Sequence, residues 1–219
     1  KTTYEIGDNE TRKRPSPVNF SLDINLKEGL ETEGEGWPKG TETFETLAAT
    51  SDAEGNIYVL NAAFGPSSMP WDPWKREFMG NTLTKFNKEG EQETTILVAS
   101  RDKGISGDSY QQDRWGMAAS EDGHVLINTM QSALIVSPNQ EINILVDQPQ
   151  GSEYGSHLRS AVHFNNYFYL QHGDTIIKYD TSGKPVESIS SGWDSKSSNM
   201  GGDGLVFDVA EEKIAVGYT

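Results

Sequence analysis

Three short loops of this chain, each just ahead of a predicted strand, hold side chains that could carry chemistry. They are Asp113, Arg114, Trp115, Tyr154, His157, Arg159 and Asp203. Carboxylate oxygens are the ligands that calcium prefers, so Asp113 and Asp203 are the candidate metal ligands. A tyrosine, a histidine and an arginine together can abstract a proton beside a carboxylate and neutralise it, which is the chemistry of a uronate lyase. Tyr154, His157 and Arg159 are therefore the catalytic candidates, and a calcium cofactor is possible.

The same residue types also have an ordinary structural use. Aspartates at such points cap turns, an arginine can pair with a neighbouring aspartate, and tyrosine or tryptophan can pack between blades. We keep that alternative open. Arg114 and Trp115 are the ligand-binding candidates in this group.

A second group of candidates lies in a predicted insertion, residues 64–80. It holds Trp71 and Trp74 together with three of the nine prolines. Tryptophans held by nearby prolines offer flat apolar faces at small entropic cost, which suits stacking on a sugar or a hot spot for a protein partner. The alternative is that Trp71 and Trp74 cover a blade edge.

The remaining histidines and the common catalytic motifs add no further site. His124, His163 and His172 fall at predicted turns or in a strand, with no spacing typical of zinc, and we expect them to be structural. The sequence has no Gly-rich phosphate loop, Gly-x-Ser-x-Gly elbow or His-Glu-x-x-His helix.

The elements that must position these residues follow from a repeat. A short apolar strand, a polar turn and a second apolar strand recur, and the second strands are marked by Ile57, Val125, Phe168 and Ile214 at steps of 68, 43 and 46 residues. An internal period in the forties, with several strands per unit, is typical of a β-propeller. We therefore predict an all-β, single-domain propeller with four-stranded antiparallel blades.

The blades are assigned from turn residues such as Gly and Asn, which adopt positive φ at low cost. The predicted parts are blade 1 at 44–100 with the inserted loop 64–80, blade 2 at 112–148, blade 3 at 157–191, and the inner strands of blade 4 at 203–219. Strand-like runs within 1–30 supply the two strands that blade 4 lacks, which predicts about four blades closed by joining the termini. The competing interpretation is a fragment of a ring of six or seven blades.

Two segments carry a family resemblance. The cadence from Asp52 to Val59, followed by Leu83 to Glu91, resembles blades of gluconolactonase-like and NHL-type propellers. The segment Asp203 to Asp208 is similar to the Asp-Gly motif of the gluconolactonase-like family, which implies that Asp203 helps to hold a central calcium. Where that family has an Asn-Gly pair, this chain has Trp115-Gly116 in blade 2 and Leu158-Arg159 in blade 3.

Composition limits the partners. The net charge is −15 and the pI about 4.6, which would repel phosphate backbones and anionic lipid, so we expect no nucleic acid partner. No segment approaches the roughly 20 apolar residues that span a bilayer, and we expect no membrane insertion. There is no cysteine, hence no disulfide or thiol nucleophile. Lys1 is not an initiator methionine, and we expect a mature or trimmed product.

These observations together predict an extracytoplasmic binding or interaction module. Its partner would be a small molecule, a glycan or a protein. The first alternative is a calcium-dependent lactonase or esterase of the gluconolactonase-like class, and the second is a sugar lyase.

Overall fold

The computed structural model of the chain contains fourteen β-strands and no helix in the residues that it describes. The described residues are 35–67, 76–100, 116–128, 132–147, 158–172, 175–190, 206–210 and 213–217. Within them, no helix long and apolar enough to cross a bilayer occurs.

Three sheets have four antiparallel strands each, and each sheet follows chain order from its first strand to its last. The first consists of β1 (Thr43–Ser51), β2 (Ile57–Ser67), β3 (Arg76–Phe86) and β4 (Gln92–Ala99). The second consists of β5 (Gly116–Ala119), β6 (Val125–Asn128), β7 (Ser132–Val136) and β8 (Ile142–Asp147). The third consists of β9 (Leu158–Phe164), β10 (Tyr167–His172), β11 (Thr175–Asp180) and β12 (Pro185–Ser190).

A fourth sheet has two described strands, β13 (Val206–Ala210) and β14 (Lys213–Gly217), paired antiparallel. The strands predicted within 1–30 to complete it lie outside the described residues, so closure of the ring stays a prediction.

The arrangement of the sheets is that of a β-propeller. Their first strands are neighbours in succession, because β1 contacts β5, β5 contacts β9 and β9 contacts β13. Each meandering sheet thus runs outward from a shared row of first strands, as propeller blades do. The predicted fold class, an all-β propeller with four-stranded antiparallel blades, is confirmed.

The two faces of the second blade explain why β6 is apolar from Val125 to Ile127. Val125 and Ile127 of β6 pack against the first blade, whereas Leu126 between them packs against the third. Side chains alternate between the two faces of a strand, so a strand covered on both faces must be apolar at every position. Two of the four hydrophobic clusters in the described residues therefore lie between adjacent blades.

Five of the tight turns share one design. In each turn, the backbone carbonyl of the first residue accepts a hydrogen bond from the N–H of the fourth residue, which has positive φ. The side chain of the first residue accepts a second hydrogen bond, from the backbone N–H of the fifth residue. That geometry is a type I turn followed by a left-handed residue, usually glycine. The first residues are Asp52, Asn87, Ser120, Ser137 and Asp180.

The first blade differs from prediction at its inserted loop, residues 64–80. Strand β2 continues to Ser67 and β3 begins at Arg76, so the ends of that segment form an antiparallel ribbon with the pairs Phe64↔Phe78 and Ser67↔Arg76. Contacts between side chains across this ribbon stabilise β2 and β3, which are longer than the corresponding strands of the other blades. The central part, 68–75, lies outside the described residues.

Candidate functional site

Most residues predicted for the site lie outside the described residues. They are Trp71, Trp74, Asp113, Arg114, Trp115, Tyr154, His157 and Asp203, while Arg159 has a described backbone in β9. Three of the predicted loops come just before β5, β9 and β13. These strands are neighbours, because β5 contacts β9 and β9 contacts β13. That adjacency is what a shared channel mouth requires, and the catalytic and metal assignments stay predictions.

The base of the β2–β3 ribbon carries a charged and aromatic cluster that we call the hairpin brace: Thr43, Glu45, Phe64, Arg76 and Phe78. The Arg76 guanidinium pairs with the Glu45 carboxylate and donates to the Thr43 hydroxyl at 3.1 Å. It also lies 4.3 Å from the centroid of the Phe64 ring, and the Phe64 and Phe78 rings are 6.1 Å apart.

The brace couples the ribbon to the first strand of the blade. Glu45 and Arg76 are each about one-fifth exposed, so water screens their attraction less than it screens a surface pair. A planar guanidinium that stacks and pairs at once fixes the position of Arg76. Sequence reasoning missed this cluster because Glu45 and Arg76 are 31 residues apart and meet only through the strand register.

A cleft lies between the first and second blades, at the end of the sheets where β1 turns into β2. Its volume is about 170 Å³. The apolar part of its wall includes Leu83, Ile96, Val125 and Val136, and the polar part comes from tight turns of both blades.

One polar wall is built on the Asp52 carboxylate. The backbone N–H groups of Glu54 and Asn56 donate to its Oδ1 at 3.0 and 2.9 Å, and the Asn56 amide and Tyr58 hydroxyl donate to its Oδ2 at 2.8 and 3.0 Å. Burial raises the pKa of Tyr58 far above its usual range, and the hydrogen bond to Asp52 adds to that effect. The hydroxyl therefore stays protonated and acts as a donor, so Tyr58 is not a general base.

The opposite wall is the turn at Ser120. The Ser120 hydroxyl donates to Asp122, and a ring nitrogen of His124 lies 3.0 Å from the same carboxylate oxygen. Burial, the largest single influence, raises the pKa of Asp122, but the hydrogen bonds from Ser120 and His124 and the charge of His124 together lower it. Asp122 therefore carries negative charge at neutral pH.

Beyond this wall, His163 of β9 lies against the ring of Phe168, with 5.3 Å between ring centroids. Its Nε2 is buried and has no hydrogen-bond partner in the described part of the chain. Burial is the main influence on the pKa of His163 and lowers it, against weaker opposing effects of the charges on Glu121 and Asp122. His163 is therefore a neutral packing residue at pH 7, not part of a catalytic pair in the described structure.

A buried amide lies where the second and third blades meet. Asn128 ends β6, is fully buried, and has no hydrogen-bond partner among the described residues for either atom of its amide. It occupies the space beside Gly116, where an added Cβ would lie 2.0 Å from Asn128 Oδ1 and 3.0 Å from the Ala161 nitrogen. A glycine at position 116 is thus a packing requirement of this junction.

No group of three or more His, Asp or Glu side chains suited to a metal ion occurs in the described part of the chain. The predicted calcium ligands Asp113 and Asp203 lie outside it. The cleft itself offers hydrogen-bond acceptors and negative charge on rigid turns, an arrangement suited to binding.

Comparison with known proteins gives likeness in fold at low identity. No known protein family profile matches the chain, and no curated protein matches it either. Similar solved structures include a protein of unknown function from Bacteroides caccae, with 14% identity over 70% of this chain and 48% of that one and a TM-score of 0.40. Regucalcin, a calcium-binding protein from Agrobacterium tumefaciens, is 11% identical over 66% of this chain and 45% of its own, with a TM-score of 0.39.

Virginiamycin B lyase from Staphylococcus aureus is 10% identical over 70% of this chain and 58% of its own, with a TM-score of 0.36. The chain spans about half the length of the solved structures that it matches. At these identities and TM-scores, no function or ligand is transferred from those proteins to this chain. The chain is similar to proteins of the propeller type, and its likeness to them is one of fold.

Proposed function

We propose that this chain is an extracytoplasmic propeller module that binds a carbohydrate or a protein partner through Trp71 and Trp74. The observation that carries the proposal is the hairpin brace. It holds Ser67 and Arg76, the residues that flank the tryptophan segment, in a paired ribbon next to the first strand of the blade. Side chains presented between fixed ends lose little conformational entropy on binding, which is why rigid supports favour recognition.

Composition and chemistry support the same function. Tryptophan is enriched at binding hot spots because it buries a large area with few rotatable bonds. In the described cleft the Tyr58 hydroxyl donates to Asp52 and is therefore not a base. The calcium-dependent lactonase and the sugar lyase depend on Asp203, Tyr154, His157 and Arg159, and they stay alternatives that a calcium titration and a lyase assay would test.

The test compares two sets of tryptophan substitutions. Trp71→Ala with Trp74→Ala should abolish retention in native gels that contain a soluble neutral β-glucan or xyloglucan, and should leave the melting temperature within a few degrees. Trp37→Ala is the matched control, because Trp37 is buried and packs 5.6 Å from Phe44 between ring centroids. Truncating a buried tryptophan costs about 3 to 5 kcal/mol, so the control should lower the melting temperature by on the order of 10 °C.

A second variant tests the brace. Arg76→Lys keeps the positive charge but loses the planar stacking on Phe64 and the paired donors, so it should weaken retention several-fold without touching the ligand. If the Trp71 and Trp74 double variant melts as low as Trp37→Ala, the segment is a structural cover. Unmodified protein that is retained by neither polysaccharide would refute carbohydrate binding and leave a protein partner to be sought.

A further inference from the structure

The cleft between the first and second blades lies at the opposite end of β2 from Ser67, the last described residue before Trp71 and Trp74. It lies at the β1–β2 turn, whereas Trp71 and Trp74 follow the other end of the eleven-residue strand β2. At about 3.3 Å per residue these ends are roughly 35 Å apart. A ligand in the cleft would therefore bind independently of one on the ribbon.

The size of the cleft limits what it can take. Its 170 Å³ is below the roughly 300–1,000 Å³ of sites for drug-sized ligands, so a ligand of that size does not fit inside it. A single amino-acid side chain or a small amine does. Leu83, Val125 and Val136 in its wall belong to the core cluster, which makes the wall rigid and apolar.

The charge of the cleft is unbalanced. Four acidic residues line it, namely Asp52, Glu54, Glu121 and Asp122, and among the described residues that line it the one Lys or Arg is Lys85. The Lys85 ammonium is already paired with Glu93 at 2.7 Å. Glu54 and Glu121 are exposed, and neither carboxylate has an ion-pair partner among the described residues.

A metal ion is a poor match for this site. The described residues contain no group of three acidic or histidine side chains close enough to hold one, and the apolar wall would not replace the water of a hydrated metal. An ammonium on an alkyl chain matches both the apolar wall and the acidic residues of the cleft. Its methylene groups pack on the apolar wall while its charge stays near the carboxylates and water, as lysine side chains do at protein surfaces.

We propose that this cleft binds an alkylammonium group, as presented by a lysine side chain of a protein partner. Long-range attraction supports a basic partner, since the whole chain carries a net charge of −15. The rim carboxylates of Glu54 and Glu121 select the charge, and the wall formed by Leu83, Val125 and Val136 selects the alkyl chain.

The test titrates the protein with N-acetyl-lysine methylamide and, separately, with N-acetyl-norleucine methylamide, which has the alkyl chain without the charge. Backbone amide NMR signals report the contact. The lysine compound should shift the signals of Glu54, Gly123 and Gln140 saturably, with a dissociation constant of about millimolar and weaker binding at high salt. The norleucine compound should leave them unchanged.

Matched charge variants locate the site. Glu54→Gln with Glu121→Gln should weaken lysine binding about tenfold, because two of the four carboxylates are lost. Glu42→Gln with Glu187→Gln removes the same charge from exposed positions that do not line the cleft, and it should change binding by less than about twofold. All four substitutions are at exposed positions, and equal melting temperatures will show that both variants are folded.

Three results would overturn the proposal. They are equal shifts with norleucine, shifts scattered over the surface in place of the cleft, and equal weakening by the two double variants. Failure of the unmodified protein to be retained by a glycan does not bear on lysine binding in the cleft, so the two proposals fail separately.

Discussion

Replacing Gly116 by alanine tests how the second and third blades meet. The new Cβ would lie 2.0 Å from Asn128 Oδ1 and 3.0 Å from the Ala161 nitrogen of the neighbouring blade. Asn128 is fully buried and cannot turn toward solvent, so the backbone must shift. Overpacking of this kind costs about 1–3 kcal/mol. At about 2–4 °C per kcal/mol in a chain of this length, the melting temperature should fall by roughly 5 °C.

The same substitution in an Asn128→Ala background separates the clash from any general effect of losing a glycine. With the amide removed, the 2.0 Å contact with Oδ1 is lost together with both amide atoms of Asn128, while the Ala161 nitrogen stays 3.0 Å from the new Cβ. Where no strain results, replacing glycine by alanine stabilises the folded protein by about 0.4–1 kcal/mol, because it reduces the conformational entropy of the unfolded chain. We therefore expect Gly116→Ala to cost much less in this background, with a coupling energy of about 1–3 kcal/mol in a urea-denaturation double-mutant cycle.

An equal cost of Gly116→Ala in both backgrounds would refute this reasoning. So would a single Gly116→Ala variant that unfolds at the same urea concentration as the unmodified protein. Either result would mean that Asn128 does not occupy the space beside Gly116.

Three further predictions concern closure, calcium and pH. Deleting residues 1–26 should expose the edge of β14 and cause aggregation or loss of the cooperative melt, and a monomeric truncated protein with an unchanged melt would contradict the closed ring. If Asp203 is a calcium ligand, Asp203→Ala should abolish a calcium-induced rise in melting temperature, whereas no rise in the unmodified protein would remove the calcium-dependent enzyme as an alternative. Because the pKa of His163 is lowered in the folded state, the unfolded chain binds the proton more readily and stability should fall as the pH drops through about 6.5. His163→Leu should have a smaller loss of urea stability between about pH 7.5 and 5.5 than the unmodified protein has, and an equal loss would show that His163 is not responsible.

The sequence by itself determined the fold class, because its information is local and repeated. Alternating apolar residues and turn residues such as Gly55 and Gly183 recur in every unit, and each hairpin is specified within about ten residues. Continuous apolar runs such as 125–127 likewise indicate a strand buried on both faces, which β6 is.

Only the tertiary structure decided which distant residues meet. Arg76 reaches Glu45 through the register of β1, β2 and β3, and the strands there extend into the segment predicted to be a loop because those contacts stabilise them. The cleft is likewise invisible in the sequence, since its two walls come from turns of separate blades, at Asp52 and at Asp122. The packing of one blade against the next brings the two turns together.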